Sequence, residues 1–193
     1  MKKVSLLALS LVSLASFAAP AFAAEDFDIK KVDLQLITTP QYSVNPPAKQ
    51  SRAQTWIAVE TTFDARPEFT NELLFTYYIA FMNVPEAVYV GRISHVSIQK
   101  GQALHSIAYI SPKSISRILK GKQLTQGDVD NITVTISKPG ISAPIAVKSL
   151  RPTGGEWWTV RQMEEGFVLN KSETPFAPLA WDYYEALKPA SAR

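Results

Sequence analysis

The sequence predicts a mainly β chain folded as a β-sandwich with one or two short helices. Apolar residues recur with a two-residue period in roughly seven to nine short runs, turn residues separate those runs, and one segment alone carries a full set of helix signals.

Residues 1–23 read as a secretory leader: Lys2 and Lys3 give a positive start, Val4 to Phe17 an apolar stretch, and Ala21-Phe22-Ala23 a small-x-small cleavage site. The apolar stretch is too short to span a bilayer comfortably and ends at Pro20. Cleavage after Ala23 leaves 170 of the 193 residues and lowers the formal charge from +3 to +1, because Lys2 and Lys3 go and no acid does. Such a near-neutral chain gives no electrostatic case for nucleic-acid binding or a polybasic membrane contact. There is no Cys, so neither a disulfide nor a lipoprotein acyl anchor can form. Stability must come from packing, and 170 residues fit one domain, 24–193.

Within it, Val32, Leu34 and Leu36 alternate with Asp33 and Gln35, predicting a strand over 30–38. Pro40, Pro46 and Pro47 then bar a central strand and predict a surface loop or edge crossing. Ile57, Val59, Thr61 and Phe63 form the next alternating face, broken over 64–67. The run 72–82 is apolar on both faces; its β-branched and aromatic content favours a central strand over a buried helix. Residues 88–99 and 103–110 predict a hairpin turning at Lys100-Gly101-Gln102, with Gly91 marking a bulge. Ser111 as N-cap, Pro112, the Ile115, Ile118, Leu119 stripe and Gly121 define the helix. Ile132, Val134 and Ile136 predict a strand that turns at Lys138-Pro139-Gly140 into a partner starting at Ile145 and Val147. A turn at Thr153-Gly154-Gly155 precedes an expected strand with Trp157, Trp158 and Val160, and 167–169 is the last apolar run. Phe176, Leu179, Trp181 and Tyr184 among the prolines of the C-terminal segment predict a clasp laid across the sandwich, with 191–193 a frayed end.

Little of this chemistry points to catalysis. A Gly-x-Ser-x-Gly turn and the phosphate-cradling glycine patterns are missing from the sequence. Glu164-Glu165 and Asp182 with Glu185 could serve glycoside hydrolysis only at a defined separation, and solvated surface acids are the simpler reading. His95 and His105 fall near each other across the expected hairpin and form the weak metal candidate, without a visible third ligand; no cofactor is called for. The binding candidates are Trp56, Trp157 and Trp158: an exposed ring could stack on a sugar, whereas burial under the C-terminal segment is the default for so large a side chain.

The stretch Thr174-Pro175-Phe176-Ala177-Pro178-Leu179-Ala180-Trp181-Asp182, the Tyr109-to-Lys113 helix start and the length resemble the small secreted immunoglobulin-like proteins encoded beside type IV pilus genes in mucus-dwelling Gram-negative bacteria. That resemblance implies an immunoglobulin-like β-sandwich, a non-enzymatic envelope or pilus-associated role, and no established active-site residues. The expected partners are envelope or pilus-assembly proteins, and the expected location is the periplasm, the outer membrane or the cell surface. The chain is not expected to be an integral membrane protein, nor a pilin subunit, because the leader is cut behind its apolar stretch and a polar end follows, Ala24-Glu25-Asp26. The alternative is a carbohydrate-binding module, with host or mucin glycans as ligands; a hydrolase acting through the acid pairs is a third reading.

Overall fold

The computed structural model describes residues 26–42, 52–141, 143–180 and 182–189. The leader, Pro46, Pro47, Trp181 and the last four residues lie outside this set.

Seven strands form, β1 Phe27–Thr38, β2 Thr55–Phe81, β3 Ala87–Ile110, β4 Val129–Ser137, β5 Ala146–Ser149, β6 Gln162–Glu165 and β7 Val168–Asn170, with one helix, α1 Pro112–Ile118, between β3 and β4. Pairing follows the order β5-β4-β2-β3-β6, while β1 joins β2 and β7 joins β3. The centre is one long antiparallel hairpin of β2 and β3, in register from Ile57 with Ile110 to Ile79 with Tyr89. β1 pairs with the first half of β2 and β4 with the second; β7 pairs with the end of β3 and β6 with its start. Two sheets therefore share β2 and β3, and pass into one another where the register slips between Phe63 and Phe69.

Both long strands fold over at that slip. His95 Nε2 lies 2.7 Å from Ser106 Oγ although eleven residues separate them on one strand. A straight strand would hold them about 36 Å apart. Phe63 and Phe75 of β2 likewise meet, with ring centroids 4.9 Å apart. The fold closes as the expected sandwich, its core built from inward residues of both halves: Ile57, Val59 and Phe63 against Phe75, Ile79 and Phe81. Each such side chain contributes about 1.5–3 kcal/mol by leaving water.

The hairpin expected at Lys100-Gly101-Gln102 is instead this bend. The reversal comes earlier, in the turn around Val84, whose amide donates to Phe81 at 3.2 Å and whose carbonyl accepts from Ala87 at 3.2 Å. Gly101 marked an irregularity in the backbone, and positive φ at Ser97 and Ala103 absorbs it. The break expected over 64–67 is the same bend seen on β2, which continues through it. Gly91 is no bulge, since its pairing with Tyr77 is regular. A Cβ there would lie 2.4 Å from Val168 Cγ1, so close approach of β7 demands glycine. The helix forms as predicted: Ser111 accepts from the Ser114 amide, Ile115 and Ile118 are buried, and Gly121 leaves at φ 82°.

Candidate binding site

After β7 a 3-10 turn, Lys171–Glu173, is capped at both ends of its first turn. The Asn170 side chain accepts from the Ser172 amide at 2.9 Å, and Glu173 accepts from the Asn170 amide at 2.9 Å. This cap turns the chain so that Phe176 drops onto the outer face of the first sheet. Its ring stands edge-on to Trp56, centroids 5.4 Å apart, and lies flat against Tyr109 at 4.9 Å. Within the expected clasp Phe176 is buried and Leu179 is exposed, and Tyr42 ties the segment down by donating to the Pro175 carbonyl.

Residues 182–189 continue as a strap across the bend of β3. Glu185 donates its amide to His105 at 3.0 Å, Val96 donates to Ala186 at 2.9 Å, and Lys188 donates to Ser94 at 2.8 Å. Because His105 belongs to one sheet and Ser94 to the other, the strap staples the two halves of β3 together. Between strap, clasp and β3 lies a cavity of about 170 Å³, lined by His95, Ile107, Lys171, Tyr184, Glu185 and Leu187 among others.

A polar relay runs from its His95 wall into the core. Glu185 presents a carbonyl to His95 Nδ1 at 3.0 Å, which can only accept, so Nδ1 carries the proton and Nε2 accepts from Ser106. Ser106 in turn accepts from the Tyr77 hydroxyl at 2.7 Å. Burial pushes His95 down to about 4, against the opposing pull of its backbone partners, so the imidazole is neutral at pH 7. Burial also raises Tyr77. Lys171 is only 7 % exposed; it donates to the Ala177 carbonyl at 3.0 Å and sits 5.4 Å over the Tyr184 ring. Burial lowers its pKa, partly offset by the charge of Asp182, while burial raises Glu185.

The two histidines do not meet as the expected hairpin would have them. His95 faces inward, and His105 faces outward, its Nδ1 2.9 Å from Glu60 and its ring stacked on Tyr183 at 4.0 Å. Among the described residues no three His, Asp or Glu side chains gather as a metal site would need. The acids also part: Glu164 and Glu165 stand on β6, the latter paired with Arg92, while Asp182 and Glu185 belong to the strap.

The three candidate tryptophans are occupied. Trp56 is covered by Phe176. Trp157 and Trp158 fall in a turn closed by Thr159 donating to Glu156, where a strand was expected. Trp158 is buried, 5 % exposed, and stacks on Tyr78 at 5.3 Å; it is covered by the second sheet and not by the C-terminal segment. Trp157 donates from Nε1 to Thr133 at 2.9 Å, with Arg161 over its ring. Beside them a groove of about 430 Å³ carries Thr76, Thr135, Ser137 and Arg92.

Ser106 and Lys171 escaped the sequence reading. Once the bend is known, Ser106 falls on the inward phase of β3 with Ala108 and Ile110, and its polarity among them becomes visible.

This architecture defines a β-sandwich with a stapled corner. A protein-family model matches residues 19–191, and the chain belongs to that family. A crystal structure of a protein from Akkermansia muciniphila is similar to it, with TM-score 0.73 and 22% identity over 86% of this chain and 94% of that one. At that identity the likeness speaks for the fold. No curated protein matches the sequence. Among the described residues no helix is long and apolar enough to cross a membrane.

Proposed function

We propose that the chain is an exported, non-enzymatic component of the cell envelope, a structural or binding protein associated with a type IV pilus-like or secretion assembly. The leader pattern supports export of a single sandwich domain, 24–193, to the periplasm or the outer surface. The family membership and the likeness to an Akkermansia muciniphila protein support the envelope role, in line with the resemblance carried by the Thr174-to-Asp182 stretch.

The observation that carries the non-enzymatic reading is the sealing of Ser106. Its contact with His95 has the distance of a nucleophile and its base. Ser106 is, however, 0 % exposed, and its hydroxyl proton is held by His95 while its oxygen accepts from Tyr77. No substrate carbonyl can reach it, so the pair fastens the strap to the core.

Cross-linking in intact cells, followed by fractionation of a tagged chain, tests the role. The expected outcome is recovery in the envelope, with leader removed, joined to pilus or secretion proteins. Recovery in the cytoplasm with leader intact, or an esterase activity lost in Ser106→Ala, contradicts it.

A further inference from the structure

The cavity beneath the strap contains two groups of opposite charge that do not meet. Lys171 is withdrawn from water yet spends one of its three donors on the Ala177 carbonyl. Asp182 offsets its charge only from a distance, and no carboxylate forms an ion pair with it among the described residues. Glu185 lines the same space half-buried, and its carboxyl has no cation against it among those residues. An ammonium and a carboxylate held apart in a poorly hydrated space are each costly, and substitution by apolar side chains would be the stable solution. Of the other titratable groups in its lining, His95 is neutral and already bonded on both nitrogens, and burial raises Tyr184, so that its hydroxyl is neutral too and its ring lies under Lys171.

We infer that this cavity binds a free amino acid with a small apolar side chain, its carboxylate received by Lys171 and its ammonium by Glu185. Ile107, Ala177 and Leu187 supply the apolar wall. The volume, about 170 Å³, is comparable with an apolar cavity of about 150 Å³ that admits benzene. Both charges enter the selection. A simple carboxylate would be repelled by Glu185, and a simple amine would be repelled by Lys171 and leave it unmet. This site stands apart from the assembly role and does not depend on it.

Calorimetric titration of the chain 24–193 tests it with L-alanine, L-valine and L-leucine, beside isovalerate and isobutylamine, which keep the apolar end of valine and one charge each. Saturable binding of at least one amino acid is expected, with isovalerate and isobutylamine at least tenfold weaker. Glu185→Gln should weaken the amino acid at least tenfold, and Lys171→Met should abolish binding while raising Tm, since it removes a buried charge. No saturable binding by any of the three amino acids overturns the inference. So does binding of isovalerate as tight as valine, or wild-type affinity in either variant.

Discussion

The outer faces of the two sheets are both covered by aromatic side chains, yet they are covered in different ways. On the second sheet Trp158 lies against Tyr78, Val88 and Val90, a local cover supplied by the turn before β6. On the first sheet the cover comes from the far end of the chain: Phe176 seals Trp56, Ala58, Ile107 and Tyr109, and the strap that follows buries ionisable groups beneath it. One cover is held by packing, by the hydrogen bond from Trp157 to Thr133 and by Arg161 over the Trp157 ring. The other couples packing to protonation and to the geometry of a bent strand, and so can respond to conditions.

Truncating the two anchors separates these roles. Phe176→Ala and Trp158→Ala should each cost about 3–5 kcal/mol in urea unfolding. Only Phe176→Ala should also expose the C-terminal segment to limited proteolysis in the otherwise folded protein. Equal cleavage in both variants would mean that the two covers are not independent.

Acid should act through the first cover. His95 has a folded value of about 4 against about 6.5 unfolded, so the unfolded chain binds the extra proton between those limits. Stability is therefore present in full above pH 6.5 and falls as pH drops toward 4, by about 3 kcal/mol in all. Glu185, raised by burial, works in the opposite sense, favouring the folded state until pH climbs through its raised value. Lys171, lowered by burial, acts only at alkaline pH, and Tyr77 higher still. The difference between wild type and His95→Gln across pH 4–6.5 isolates the imidazole, and parallel profiles would refute its role.

Gly91→Ala should cost about 1–3 kcal/mol, because its methyl meets Val168 of β7 on the inner side of the sheet. A neutral result would show that β7 can retreat. The smallest effect belongs to the cap that launches the clasp, where Asn170→Ala should cost about 1 kcal/mol in the same unfolding assay. A loss as large as that of Phe176→Ala would shift the grip of the clasp from its ring to its turn.

The local pattern revealed most elements because it reflects local physics. Alternation found β1, the first end of β2 and β4, a run apolar on both faces found the second end of β2, and capping found α1. What escaped was the long-range event. A bend in a paired strand and a turn between strands both use glycine and positive φ, so Gly101 read as a reversal when it marks a corner. That single misreading also displaced His95 and His105 and hid Ser106, whereas the strand expected at Trp157 and Trp158 failed for a local reason, the turn closed by Thr159 on Glu156. The clasp was legible in its Phe176 anchor, because prolines and aromatics together are unsuited to a solvated tail, and not in Leu179, which is exposed. Its cargo of Lys171 and Glu185 was not, because burial of a charge is a property of what packs over it.

Native-state hydrogen exchange at the strap amides tests most directly whether the C-terminal segment staples the bent strand. The amides of Glu185, Val96 and Lys188 are predicted to be protected at pH 7, and to lose that protection together in Phe176→Ala. Free exchange of these three amides in the wild-type protein at pH 7 would contradict the account.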